Sequence, residues 1–205
     1  MSAPHGGSLW KPLPASFYTR PTLIVARDLL GRYLVRRIGT TLLAGRIVEV
    51  EAYRGSDDEA SHAFRGRTPR NEVMFWKGGH LYVYFTYGMH YCANIVTGPA
   101  GQAGAVLLRS VVPVEGIEFL RHNRPRALDD RNLTNGPAKL CEAFSLSRAD
   151  NGQRLTGPLV YIARGTPPAP SLRARSVRLG ITTGREKKWR FYERGNPWVS
   201  GKPRL

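Results

Sequence analysis

The run Leu81-Tyr82-Val83-Tyr84-Phe85-Thr86-Tyr87-Gly88-Met89-His90-Tyr91-Cys92-Ala93-Asn94-Ile95-Val96 gathers aromatic side chains around a short polar turn, and so reads as a hairpin. Tyr82 and Tyr84 share one strand face by the two-residue period, and Tyr87 falls near the tip. An aromatic tip on a very basic chain suits a wedge pushed between DNA bases. Upstream stand Glu49, Glu51, Tyr53 and His62. A carboxylate, several aromatic faces and a wedge are what an enzyme acting on an extruded nucleobase needs.

Glu51 ends a strand that otherwise reads Leu, Ala, Ile and Val. A carboxylate there is costly to bury without a partner, and it could serve as a general base. Glu49 points the same way by the two-residue period, so spacing leaves the choice between them open. Arg109 interrupts an apolar strand and could face a polar pocket on the side away from the core. Asn94 alternates with Cys92 and Val96 in the same manner. The stretch Arg65-Gly66-Arg67-Thr68-Pro69-Arg70-Asn71 is a basic loop suited to phosphate contact. Glu59 and His62 have the Glu-x-x-His spacing of carboxylate metal sites, but no second copy completes a cage. With no HExxH and no Cys-x-x-Cys either, neither metal nor cofactor is expected.

These residues need a frame. Pro21 opens an amphipathic helical stretch to Leu30, and strands follow at Tyr33–Ile38 and Thr41–Glu51. Residues 54–72 form a long polar loop, which in a small domain is more often functional than idle. After the hairpin come a strand over Gly104–Val112 and helices over Val114–Asn123 and Ala138–Leu146. Strands resume at Leu159–Arg164, Val177–Ile181 and Arg190–Tyr192. Strands outnumber helices and their connections are too short for repeated crossovers. The pattern therefore predicts an α+β fold with a mixed, mainly antiparallel sheet. A loosely ordered arm is expected over residues 1–16, then one domain over residues 17–205.

The chain has 205 residues, with 31 Lys and Arg against 15 Asp and Glu, a net charge of +16. Such a balance points to a polyanionic partner, most simply nucleic acid. Half of that excess lies between residues 173 and 204. No long apolar span or basic amphipathic helix argues for a membrane. Cys92 and Cys141 make neither a disulfide framework nor a zinc site and read as small buried hydrophobes. The first residues lack the pattern of a signal peptide, so a reducing, internal compartment is expected.

Six blocks extend this reading: Arg46–Tyr53, Thr68–Asn71, Leu81–Met89, Leu107–Arg109, Gly136–Cys141 and Arg190–Ser200. Together, in this order, they resemble the alkyladenine (3-methyladenine) DNA glycosylase family. The resemblance implies a curved antiparallel sheet with flanking helices and a protruding hairpin that enters the DNA minor groove. It implies that Tyr87 fills the gap left by a flipped nucleotide, with Met89 supporting it. Tyr53 and His62 would sandwich the extruded base, Tyr84 would close the pocket edge, and Asn94 would crowd the 2-amino group of normal guanine. Glu51, helped by Arg109, would hold and deprotonate the attacking water. Arg65, Arg67, Arg70 and Lys139 are the candidates for backbone contact. The implied activity is monofunctional excision of alkylated or deaminated purines, such as 3-methyladenine or hypoxanthine, from double-stranded DNA. No cofactor, no membrane and no obligate protein partner are implied; a bacterial, cytoplasmic, nucleoid-associated monomer is. Ala93 and Ala138 depart from residues common in the family, and strand alternation turns Ala93 away from Asn94, so a packing change is expected there.

Two other classes compete. A non-catalytic RNA- or DNA-binding module would suit the charge and the aromatics equally well, but it has no use for a carboxylate such as Glu51 among them. A metal-dependent nuclease would need a carboxylate cluster, for which Asp57-Asp58-Glu59 is the one approximation.

Overall fold

The computed structural model describes residues 10–201, and the other strands assemble around its longest one, β2 (Thr41–Arg54). Before it come α1 (Ala15–Tyr18), α2 (Thr22–Leu29) and β1 (Tyr33–Ile38). After it follow β3 (Leu81–Thr86), β4 (His90–Val96), β5 (Gly104–Glu115), α3 (Ile117–Asn123), α4 (Arg131–Thr134) and α5 (Pro137–Ala143). The chain closes with β6 (Val160–Ala163), β7 (Arg173–Ser176) and β8 (Arg190–Glu193). The strands form one eight-stranded sheet in the order β3-β4-β5-β2-β1-β6, with β7 and β8 attached through β2. Every pairing is antiparallel, where the sequence predicts a mainly antiparallel sheet in an α+β fold.

Two features curl this sheet around the site. β2 pairs with β5 along one edge, while its other edge is shared: residues 41–46 pair with β1 and residues 49–51 with β8. Opposite β5 the register slips on both sides of Glu49, and such irregularities bend a strand and strengthen its twist. The apolar side chains of Leu34, Ile47, Val50, Leu81, Ile95 and Leu108 point to one face. There Val25 and Leu29 of α2 and Leu140 of α5 cover them. α5 starts at Pro137, whose missing N–H costs nothing at a first helical position. It ends where Ser145 turns left-handed (φ 51°) and Leu146 N–H donates to Cys141 O at 2.8 Å, a helix-terminating pattern.

Three sequence expectations shift. The helix expected over Val114–Asn123 begins only at Ile117, because Val114 and Glu115 extend β5 and Gly116 breaks the chain with φ 71°. The strand expected over Val177–Ile181 is displaced to Arg173–Ser176; beyond it, Leu179 N–H donates to the Glu51 carboxylate instead of to a ladder. Of the expected arm, residues 1–9 lie outside the described residues. From Trp10 the chain is fastened to the sheet: Leu13 is buried and donates to Ile162 O at 2.8 Å, and Trp10 meets Tyr33 edge-on.

β3 and β4 form the expected hairpin, closed by the Thr86–His90 pair with Tyr87-Gly88-Met89 as its connection. Tyr87 and Gly88 both have positive φ, 51° and 68°, and Met89 N–H donates to Thr86 O at 3.3 Å. Left-handed backbone costs a tyrosine about 1–2 kcal/mol, an outlay that suggests a use for its side chain. That side chain is 81% exposed, and Met89 beside it 70%.

Candidate active site

The curl of the sheet brings distant residues to one cavity of about 560 Å³, within the range of ligand pockets. Tyr53 reaches it from the end of β2, His62 from the following loop, Tyr84 and Tyr87 from the hairpin, Asn94 from β4 and Arg109 from β5. All six were expected at a site. Cys92 and Leu107 complete the floor, and Leu179, Gly180, Ile181, Thr182 and Thr183 add a wall that sequence reasoning missed.

The aromatic geometry follows from the strand period. Tyr82 and Tyr84 stack side by side, centroids 5.5 Å apart and planes 29° apart. The His62 ring stands edge-on to Tyr84 at 4.4 Å, and its Nδ1 lies 3.0 Å from the Tyr82 hydroxyl. Partial burial, with help from Arg70, lowers the His62 pKa, so the imidazole is neutral at pH 7. Burial pushes the Tyr82 hydroxyl up to about 12 and that of Tyr84 higher still. Asn94 is buried and donates through Nδ2 to Tyr82 O at 3.2 Å.

The two glutamates differ in what holds them. Both have no accessible side-chain surface, and Arg109 touches both: Nε donates to Glu49 Oε1 at 2.9 Å and Nη1 lies 3.2 Å from Glu51 Oε1. Glu49 is saturated. It also accepts from Arg190 Nε at 2.7 Å, Ser200 N–H at 2.6 Å and Ser200 Oγ at 2.9 Å, which ties β2 to β8 and the C-terminal turn. Glu51 lies directly behind the cavity wall. Its Oε2 accepts from the Tyr53 hydroxyl at 2.9 Å, and its Oε1 from Leu179 N–H at 2.8 Å. Burial and the adjacent Glu51 hold the Tyr53 hydroxyl well above its ordinary pKa, so it remains a donor to the carboxylate. For Arg109, burial works to lower the pKa, but Glu51 and Glu49 outweigh it and the net shift is upward, keeping the cation fixed.

The basic candidates divide. Arg70 reaches the hairpin, donating to Phe85 O at 3.3 Å. Arg67 lies over the Phe75 ring and within 3.5 Å of Glu72, while Arg65 is exposed on the same loop. Lys139 is partly committed: its Nζ donates to Asn135 Oδ1 at 2.8 Å and Asn132 Oδ1 at 3.3 Å. Of the acidic run considered for a nuclease, Asp58 is buried against Arg178 and Asp57 pairs with Arg54.

Residues 16–197 match the family described as Methylpurine-DNA glycosylase (MPG). The chain belongs to the methylpurine-DNA glycosylase family. Among its relatives is a protein of Carboxydothermus hydrogenoformans, 49% identical over 93% of this chain and 99% of the relative. Others come from Chlorobaculum tepidum, 45% identical over 93% of this chain and 91% of its own, and Methanocella arvoryzae, 46% identical over 92% and 95%. All three carry the provisional name 3-methyladenine DNA glycosylase. Membership makes this chain an N-glycosylase that acts on DNA, in agreement with the sequence resemblance. Among its described residues, no helix is long and apolar enough to cross a membrane.

Proposed function

We propose that this glycosylase flips a damaged purine out of double-stranded DNA and hydrolyses its N-glycosidic bond with water activated by Glu51. The carrying observation is the Glu51 carboxylate, excluded from solvent and held by Arg109, Tyr53 and Leu179 immediately behind an aromatic cavity. In this reading Tyr87 occupies the vacated stack, Met89 braces it, and the base enters between Tyr53 and His62 with Tyr84 at its edge. Asn94 excludes guanine through its 2-amino group. Arg65, Arg67, Arg70 and, more weakly, Lys139 hold the backbone.

The bond breaks through an oxocarbenium-like sugar. Water oxygen bonds to C1′, its proton passes to Glu51, and the C1′–N9 electron pair departs with the purine. The carboxylate thus serves as base and as counter-charge to the sugar cation, with Arg109 fixing its orientation. Tyr53 donates to the Glu51 oxygen the water needs, so this hydrogen bond must exchange when a base is bound. A 3-methylated adenine already carries a positive charge and leaves readily, and the electron-rich rings favour that cation. Flipping costs a few kcal/mol and is cheapest at damaged or mispaired bases, a first sieve before the pocket acts. The chemistry calls for no metal or cofactor. We place the enzyme in a bacterial cytoplasm, working as a monomer without an obligate partner.

The test is incubation with labelled duplexes containing hypoxanthine or alkylated purines, followed by alkali and by borohydride in a parallel sample. Alkali-labile sites with release of the free base, and no trapped adduct, are expected. A borohydride-trapped covalent complex would refute the monofunctional reading; binding without release of any damaged base would favour a binding module.

A further inference from the structure

A buried ion pair stands behind the cavity without lining it. The side chains of Asp58, in the loop after β2, and Arg178, beyond β7, have no accessible surface. Arg178 Nη1 donates to Asp58 Oδ2 at 2.6 Å and Ala52 O at 3.0 Å; Nη2 donates to Asp58 Oδ1 at 2.7 Å and Gly184 O at 3.3 Å. Asp58 in turn accepts from the N–H groups of Arg54 and Ala60, at 3.1 and 3.3 Å. The guanidinium carbon sits 4.6 Å from the Tyr53 ring centroid and 5.2 Å from that of Trp189.

Dry ion pairs are poor stabilisers, because desolvation offsets most of the attraction. This one is distinguished by what it joins. Ala52 lies between Glu51 and Tyr53, Asp58 precedes His62 by one turn of loop, and Gly184 directly follows the wall formed by residues 179–183. One planar fork therefore joins three separate segments that each supply residues to the cavity lining. The residue after Arg178 supplies the N–H that holds Glu51 Oε1 at 2.8 Å. Lysine, a point charge on a flexible stem, could not reproduce the fork.

We infer that Arg178, clasped by Asp58, is a positioning residue of the glycosylase. It sets the Tyr53 ring, the His62 loop and, through Leu179, the Glu51 carboxylate, without touching the substrate. The inference rests on the proposed roles of those three residues.

The experiment compares wild type, Arg178→Lys and the double variant Arg178→Met with Asp58→Leu. Melting temperature, affinity for undamaged duplex and single-turnover excision of hypoxanthine would be measured on each. Arg178→Lys should bind undamaged duplex as wild type does, yet excise at least about tenfold more slowly, since a misplacement of about 1 Å can cost about a hundredfold. Apolar replacement of a buried pair is often neutral or stabilising, so the double variant should regain melting temperature while its turnover stays low. That divergence is not expected of a merely structural pair. Recovery of turnover along with melting temperature, or wild-type excision by Arg178→Lys, would overturn the inference while leaving the glycosylase reading intact. Wild-type protein that excises no damaged purine would refute that reading, and this inference with it.

Discussion

Replacing Glu49 by glutamine should unseat the frame while sparing the chemistry. Glu49 accepts four hydrogen bonds, from Arg109, Arg190 and twice from Ser200, with no exposed surface. An amide preserves the shape but turns one acceptor into a donor that faces donors. Breaking a buried pair from one side costs about 3–5 kcal/mol; with one acceptor retained, the lower end, about 3 kcal/mol, applies. In a chain of this size each kcal/mol moves Tm by about 2–4 °C, so Tm should fall by roughly 6–12 °C. Against a usual total of about 5–15 kcal/mol the variant still folds at 25 °C. Calorimetric melts paired with single-turnover excision at 25 °C supply the assay. Excision within about tenfold of wild type is expected. An unchanged Tm with abolished excision would refute the reasoning and move the general base from Glu51 to Glu49.

Other consequences are equally direct. Tyr87→Gly relieves the left-handed strain at the hairpin tip, so Tm should hold or rise slightly while excision from duplex falls; a lower Tm with normal excision would contradict the wedge. If about six phosphates are contacted, affinity should drop about a thousandfold between 50 and 200 mM salt, and a flat salt titration would count against backbone binding by the basic loop. The His62 pKa is lowered on folding, so below about pH 6.5 the unfolded chain binds more protons and stability should decline as pH falls through that value. Urea midpoints at pH 7.5 and pH 5.5 for wild type and His62→Phe would check this: the substitution should flatten the dependence, and an unchanged pH profile would exclude His62 as its source.

Much of this site was legible because its residues fall in short blocks with strand periodicity. Tyr82 and Tyr84 share a face and Arg109 interrupts an apolar strand, so alternation carries these toward the cavity, while Tyr87 is placed by the turn. The same alternation could not separate Glu49 from Glu51, which share a face by that very rule. What separates them is tertiary: Arg190 and Ser200, far along the chain, saturate one and leave the other behind the wall. Arg178 escaped notice for a related reason. Val177–Ile181 reads as a strand, and its partner Asp58 is 120 residues away. The positive φ of Gly180 and Gly184 was the local sign that the segment is a wall and not a ladder strand. The boundary at Gly116 failed more simply, since Val114 and Glu115 suit a strand end and a helix start alike.

The central claim is that Glu51 activates the water. Wild type and Glu51→Gln should be compared in EDTA on duplexes with hypoxanthine or an alkylated purine, under single-turnover conditions, with lesion affinity measured alongside. The account predicts alkali-sensitive cleavage by wild type, at least about a hundredfold loss in the variant, and comparable binding by both. Equal cleavage by the two proteins would contradict it.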